Sequence, residues 1–218
     1  MARMRLVAFL RSGRALPSLI ATLVVLGVIY GGGRAEAAEA YGFSAVALFP
    51  IVAWQTKLLL DTEPDVQRRL AVVAVGRRRE VAAGLGAATV AGVALVLFAL
   101  AVPWVVGGIE GDAAGIALGV WAHAASLVTA VGLGALASRP VTRSSLYGVA
   151  VLVTGSVLAI VLGLKGSVAP WLAPPIMAAA RDLAGDRTTG ALAGHTLHAA
   201  LWAAVAVAAY ARIRRTRS

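Results

Sequence analysis

The sequence contains no cysteine, only two lysines and few charged residues of either sign. Charged residues make up 14% of its 218 positions, whereas soluble chains carry about 25%. The absence of cysteine excludes a disulfide scaffold, and the hydrophobic fraction of 60% excludes a disordered chain and most soluble enzymes. This composition indicates that the solvent of the protein is lipid.

Six apolar segments are long enough to cross a bilayer as helices, which takes about 20 residues each. We therefore predict an all-α, polytopic membrane protein with six transmembrane helices, forming one domain over residues 1–218. The predicted spans are Leu16–Gly33, Tyr41–Leu60, Val81–Val106, Ala113–Ser138, Leu146–Leu164 and Ala191–Ala211.

Residues 1–15 precede the first span and alternate arginines with apolar residues. Leu6, Phe9 and Leu10 follow at helical spacing and form an apolar face. A cleavable signal peptide would instead place one apolar run after a short basic stretch and end in a cleavage site. The pattern predicts an amphipathic helix that lies on the inner leaflet.

The formal net charge of +10 would suggest nucleic acid as a partner of a soluble protein. The six spans divide it into +12 on one side and −2 on the other. By the positive-inside rule both termini are cytoplasmic, which indicates a multi-pass protein of a bacterial inner membrane and no nucleic-acid partner. The basic residues assigned to the cytoplasm are Arg3, Arg5, Arg11, Arg14, Lys57, Arg68, Arg69, Arg77, Arg78, Arg79, Arg139, Arg143, Arg212, Arg214, Arg215 and Arg217, and those outside are Arg34, Lys165, Arg181 and Arg187.

The cytoplasmic connection of residues 61–80 has the features of a short helix. Thr62 is a suitable N-cap, Pro64 suits a first turn, and Gly76 is a natural stop. The apolar residues of this helix follow at helical spacing in one stripe, which consists of Val66, Leu70 and Val73. The helix either lies on the inner leaflet as a plain connection or docks into a cytoplasmic partner. Its acidic start favours a partner, because a lipid anchor is usually basic throughout.

The outer connection of residues 166–190 is rich in proline. Pro174 and Pro175 can start a helix but not lie inside one, so the predicted helix covers Ile176–Ala184. Arg181 and Asp182 lie opposite its apolar residues. We expect this helix to dip into or lie on the outer leaflet, although an ordinary amphipathic surface helix fits the same spacing.

Ionisable residues inside spans usually mark a functional site. All ten acidic residues fall in predicted connections, which leaves no carboxylate for an ion-coupled transporter. The titratable groups near mid-membrane depth are His123, His195 and His198. His195 and His198 share a helix face, but we expect no carboxylate or thiolate beside them to complete a metal site. No arrangement of catalytic residues is discernible, so the sequence predicts neither an enzyme nor a bound cofactor or metal.

The spans also carry small residues four positions apart, a spacing that lets helix backbones approach closely in lipid. They support a tight bundle and are compatible with a dimer. These residues are Gly27 and Gly31, Ala88 and Gly92, and Gly111, Gly115 and Gly119.

The chain resembles the permease subunits of ABC transporters of the ABC-2 exporter type, in particular actinobacterial ones. The resemblance covers the order of segments and is concentrated in Phe49–Gly84, FPIVAWQTKLLLDTEPDVQRRLAVVAVGRRREVAAG. It implies a permease that forms the translocation path of an ATP-driven exporter. The implied substrate is hydrophobic or amphipathic, such as a drug in multidrug efflux, an antibiotic, a peptide or a lipid.

The resemblance also implies partners and roles. Residues 61–76 match the coupling helix that seats in a separate ATPase subunit, residues 3–14 match a connecting helix, and Pro170–Ala184 matches an outer element over the path. ATP and Mg²⁺ bind to that ATPase, since the chain has no Walker motif, and a second permease copy or paralogue completes the path. The expected contacts with the ATPase are Asp61, Thr62, Glu63, Asp65, Arg68 and Arg69.

Trp121, His123 and Trp202 lie deeper than an interfacial aromatic belt and are candidates for lining a substrate path, with packing as the alternative. Two further functions remain open at this point. One is a six-span scaffold subunit of a membrane assembly without its own transport path. The other is a haem- or metal-handling membrane protein built around His195 and His198.

Overall fold

The computed structural model describes residues 1–185 and 188–216 of the chain. Arg187 and Arg217, which the charge count includes, lie outside the described residues. The regular secondary structure of the described part is helical apart from two strands of two residues each, which confirms the predicted all-α class. The elements are α1 (Ala2–Arg11), α2 (Leu16–Tyr30), β1 (Ala35–Glu36), α3 (Ala37–Leu60), α4 (Asp65–Val75), α5 (Arg77–Val106), β2 (Ile109–Glu110), α6 (Ala113–Leu136), α7 (Arg139–Thr142), α8 (Ser145–Val161), a 3₁₀ turn (Pro170–Leu172), α9 (Ile176–Ala184) and α10 (Thr189–Thr216).

Four helical segments are long and apolar enough to cross a membrane: α3, α5, α6 continued into α7, and α10. Helices α1 and α2 meet at a bend of 76° and provide a fifth candidate only if the bent pair is one span. Helix α8 occupies the fifth predicted span, but with 17 residues it is shorter than the four candidate spans, which have 24 to 30 residues each. Each predicted span is therefore helical, the described residues provide four or five candidate spans, and the count of six stays a prediction.

Two helices begin four residues before their predicted starts. The carboxylate of Glu36 caps α3 by accepting a hydrogen bond of 3.1 Å from the backbone nitrogen of Glu39. Helix α5 begins at Arg77, directly after Gly76, whose φ of 81° ends α4 and turns the chain. Glu80 therefore lies in the first turn of a membrane-length helix, and its predicted place at the cytoplasmic face stays a prediction.

Helix α3 lies at the centre of the bundle. Its most apolar stretch is 72% buried, against 11% for that of α10, and it contacts α2, α5, α6, α8 and α9. Tyr41, Leu48 and Phe49 of α3 are almost completely buried. A helix that is apolar on all sides is expected to be surrounded by other elements. Helix α10 instead presents Leu197, Leu201 and Val205 outwards.

Glycines allow a close approach between α3 and α6. A Cβ atom added at Gly119 would overlap the side chain of Tyr41, and one added at Gly134 would overlap the carbonyl oxygen of Ala53. Such backbone proximity stabilises helix pairs in lipid, where burial of apolar surface supplies no net force between helices. The predicted packing role of the glycine row that ends at Gly119 is confirmed. Gly27, by contrast, has no atom within 4 Å of its added Cβ position.

Helix α9 has the predicted bounds and packs into the bundle. Ile176, Ala179 and Leu183 are buried, and the Cα atom of Ala180 would lie 3.3 Å from a Cβ atom added at Gly42 of α3. The apolar side of α9 therefore covers the first turns of α3, so this helix is not a free surface helix.

Ion pairs define the two ends of the bundle. Arg5 of α1, Glu80 of α5 and Arg214 of α10 meet at one end, which also contains α4 and α7 and which we call the basic end. At the opposite end β1 pairs in parallel with β2, beside an ion pair of 3.0 Å between Arg34 and Glu110. The first described helix and the C-terminal end of the last one thus lie on the same side of the bundle. An even number of crossings requires this arrangement. The compartment that this side faces stays a prediction.

We expect Gly119→Leu to destabilise the protein, because the new side chain would collide with Tyr41 where α3 and α6 are closest. Overpacking of this kind costs about 1–3 kcal/mol, which corresponds to a fall in Tm on the order of 5 °C in detergent. Gly27→Leu is the matched control, since it adds the same side chain at an open position. Equal Tm values for the two variants would contradict the assigned helix contact.

Candidate functional site at the basic end

A buried carboxylate joins three helices at the basic end. Glu80 is 1% exposed, and its two oxygens lie 2.6 Å from Nη2 of Arg5 and 2.7 Å from Nη1 of Arg214. Arg5 also pairs with Glu63, in the connection before α4, and donates a hydrogen bond to the carbonyl oxygen of Glu80. A buried charge needs such partners because its desolvation is costly. The cluster therefore holds α1 and α10 against the start of α5.

The end of α10 is fixed by further contacts around Arg214. Arg77 of α5 donates a hydrogen bond of 2.6 Å to the carbonyl oxygen of Arg214. The guanidinium of Arg214 donates to the hydroxyl of Tyr210 at 3.3 Å and lies 5.5 Å from the centre of the Tyr210 ring. These contacts satisfy a terminal carbonyl and a buried cation together.

Asp61 fixes the end of α3 to α7. Its carboxylate lies 2.7 Å from Nζ of Lys57 and accepts a hydrogen bond of 2.6 Å from the backbone nitrogen of Arg139. Arg14 donates to its carbonyl oxygen at 3.3 Å. Asp61 is 7% exposed, so this residue, an expected contact for an ATPase, is occupied inside the chain in this conformation.

Helix α4 starts later than the sequence predicts. Thr62 was expected to cap it, but the hydroxyl of Thr62 donates to the carbonyl oxygen of Leu58 at 2.8 Å, and Pro64 is the N-cap residue. The carbonyls in the last turn of α3 have no intrahelical partner, so they compete for the hydroxyl. The predicted end at Val75, before Gly76, is confirmed.

The charged residues of α4 divide into two groups. Arg68 is bonded within the chain, to the carboxylate of Asp65 at 3.0 Å and to the carbonyl oxygen of Glu63 at 2.9 Å. Asp65 and Arg69 are exposed. Of the six expected ATPase contacts, Asp65 and Arg69 are therefore the most accessible charged groups, whereas Asp61 and Glu63 also carry contacts inside the chain.

The apolar stripe of α4 faces away from the bundle. Val66, Leu70 and Val73 are 68%, 64% and 85% exposed, while Ala71 on the other side is buried and α4 contacts α5. A row of large apolar side chains on one face marks a surface that contacts lipid or another protein.

The three aromatic candidates for a substrate path do not converge. His123 is buried between α6 and α3, with Nε2 3.2 Å from Oγ of Ser44 and Nδ1 2.9 Å from the carbonyl oxygen of Gly119. Trp121 instead donates to Thr196 of α10 at 2.9 Å. Trp202 donates to the carbonyl oxygen of Leu172 at 3.0 Å.

The histidines of α10 also have separate partners. Nε2 of His195 lies 2.8 Å from a carboxylate oxygen of Asp182 in α9, and Nε2 of His198 lies 3.2 Å from the carbonyl oxygen of Trp171. The expectation that no carboxylate stands beside His195 was wrong, because α9 folds back onto α10. Across residues 1–185 and 188–216, no group of three or more potential ligands is placed to hold a metal ion.

Sequence reasoning missed the Arg5–Glu80–Arg214 cluster. One signal was available, since Glu80 is an isolated acid directly after Arg77, Arg78 and Arg79. An acid at the start of a helix reads as a favourable dipole partner, however, and nothing local reveals contacts that lie 75 residues away along the chain.

Comparison of the chain with protein-family models, with curated proteins and with solved structures gave no match. Function is therefore inferred from the residues of this chain.

We expect Glu80→Gln to lower the free energy of unfolding by about 3–5 kcal/mol, because Arg5 and Arg214 would lose their shared buried counterion. Glu110→Gln is the matched control, since it breaks an ion pair whose side chains are 62–68% exposed and should cost less than about 1 kcal/mol. Reversible denaturant titration in detergent, followed by tryptophan fluorescence, measures both. A loss at Glu80 no larger than at Glu110 would show that the cluster does not stabilise the fold.

Proposed function

We propose that the chain is the permease subunit of an ATP-driven exporter of the ABC-2 type, with α4 as the helix that couples it to a separate ATPase subunit. The observation that carries this proposal is the exposed apolar face of α4, a short helix at the basic end between two membrane-length helices. Val66 and Leu70 would seat in a cleft of the ATPase, with Asp65 and Arg69 as charged contacts beside them.

The attachment of α4 supports a coupling role. The helix lies between α3, the most buried helix of the bundle, and α5, which carries Glu80. Glu63 and Arg5 tie its start to α1, and Gly76 leads directly into α5. If a nucleotide-driven partner displaced α4, α3 and α1 would therefore move with it. Such coupled movement is expected when helices shift as rigid bodies between two packings.

The position of α3 supports a path formed by two permease copies. Tyr41 and Phe49 fill the centre of the chain, and His123 is enclosed beside them. A second, identical or paralogous copy would thus provide the other wall of a path between subunits. Trp121 and Trp202, both partly exposed, remain candidates for contact with a hydrophobic or amphipathic substrate, whereas His123 would support α3 from behind.

The proposal places ATP and Mg²⁺ on the partner, because the chain has no phosphate-binding Walker loop. The strong basic bias of the end that contains α4 supports a cytoplasmic position for that end, on the side where the ATPase would bind. The cell membrane of a bacterium is the proposed location.

Purification of the tagged chain from membranes of its source cell tests the proposal. We expect a Walker-motif ATPase without spans to co-purify and ATP hydrolysis to elute with the complex. The double variant Val66→Ser/Leu70→Ser should reduce both by about tenfold or more, since two buried apolar contacts at an interface would be lost.

The matched control is Val168→Ser/Leu172→Ser, which makes the same chemical change at exposed positions of the opposite end. A stable chain that brings no ATPase would contradict the permease function and favour the scaffold alternative. A Soret band that His198→Ala removes would instead favour the haem alternative.

A further inference from the structure

A cavity of about 550 Å³ opens at the basic end between α4, the start of α5, α7 and the end of α10. Its volume lies within the range of about 300–1,000 Å³ that small-molecule sites occupy. Its lining is dominated by guanidinium groups drawn from four separate elements, namely Arg68, Arg69, Arg77, Arg139, Arg143 and Arg214. Asp65 is the only carboxylate among the residues that line it.

The internal contacts leave part of this charge without a counterion. Asp65 pairs with Arg68, and Glu80 pairs with Arg214. The side chains of Arg69, Arg139 and Arg143 make no hydrogen bond or ion pair with the residues that the structure describes. Cations that converge on one concavity repel one another and focus a positive potential into it, which an anion would relieve.

The backbone at Arg143 is a second, independent observation. Arg143 ends α7 with a φ of 62°, and it is the only non-glycine residue with a positive φ in the described part of the chain. Glycine or asparagine is the usual residue in that conformation, so an arginine is held there at a cost in backbone strain. Strained residues occur preferentially at ligand sites, and the side chain of Arg143 lines the cavity.

We propose that this cavity binds a phosphate-bearing anion. The planar fork of arginine matches the oxygens of a phosphate group and pairs with them through two parallel hydrogen bonds. Arg139 and Arg143 would supply the principal contacts. Val72 and Pro140 give part of the wall an apolar character that suits the carbon skeleton of a phosphate ester.

The anion has two possible sources, the headgroup of an anionic phospholipid or a soluble phosphate compound. The proposal goes beyond the exporter function, because it concerns the isolated chain and requires no ATPase. Failure of α4 to recruit an ATPase would leave it intact, and loss of anion binding would leave the coupling role intact.

Binding by the full chain in detergent tests the proposal, with phosphatidylglycerol in mixed micelles as one probe and inorganic phosphate as the other. The site variant is Arg139→Gln/Arg143→Gln, which removes no side-chain hydrogen bond or ion pair within the described chain. The control is Arg78→Gln/Arg79→Gln, which removes the same charge from exposed residues of the same end that do not line the cavity.

We expect the site variant to weaken phosphatidylglycerol binding, counted as adducts by native mass spectrometry, by about tenfold or more, and the control by less than about twofold. If the site variant also weakens the binding of inorganic phosphate more than the control does, a soluble anion is a second source. If inorganic phosphate does not bind while phosphatidylglycerol does, the lipid is the source. Equal weakening by both double variants would overturn the proposal, because the arginines would then act only as a diffuse basic surface. The absence of binding to either probe would also overturn it.

Discussion

The carboxylate of Glu80, enclosed between Arg5 and Arg214, is the interaction on which the arrangement of the basic end depends. It is the point where α1, α5 and α10, the first, the second membrane-length and the last helix of the described chain, meet. Each partner alone would leave a buried charge unbalanced, so the three helix ends are required together. A second ion pair of Arg5, with Glu63, holds the segment before α4 against α1.

Packing elsewhere follows from a different constraint. Inside lipid, apolar side chains gain little by leaving one apolar environment for another, and helices associate where their backbones can approach. Glycines of α6 provide that approach along α3, and α9 closes over the first turns of α3 beside Gly42. As a result, α3 is enclosed by helices that are themselves less buried. Ion pairs stabilise the bundle at the basic end, and small residues allow close packing along α3. Both the helix that we assign to coupling and the arginine-lined cavity lie at the charged end.

Local signals in the sequence were enough for helix positions and for several ends. The apolar runs located every long helix, the prolines set the start of α9, and Gly76 set the end of α4, because each of these effects acts within a few residues. Contacts between distant segments were not accessible in this way. The pairing of Asp182 with His195 and the burial of Asp61 against α7 both depend on how chain segments return to one another. The accessibility of each residue expected to contact an ATPase therefore could not be predicted from local sequence, and the contacts themselves stay a prediction.

The order of the Glu80 partners along the chain has a consequence for biogenesis. Arg5 is synthesised before Glu80, but Arg214 follows it by 134 residues. At the usual translation rate of about 5–20 residues per second, that interval lasts roughly 7–27 s. During it the carboxylate of Glu80 has only Arg5 of the two arginines. The basic end is therefore complete only when the last turn of α10 has been made, and a chain that ended before Arg214 would leave Glu80 with half of its counterions.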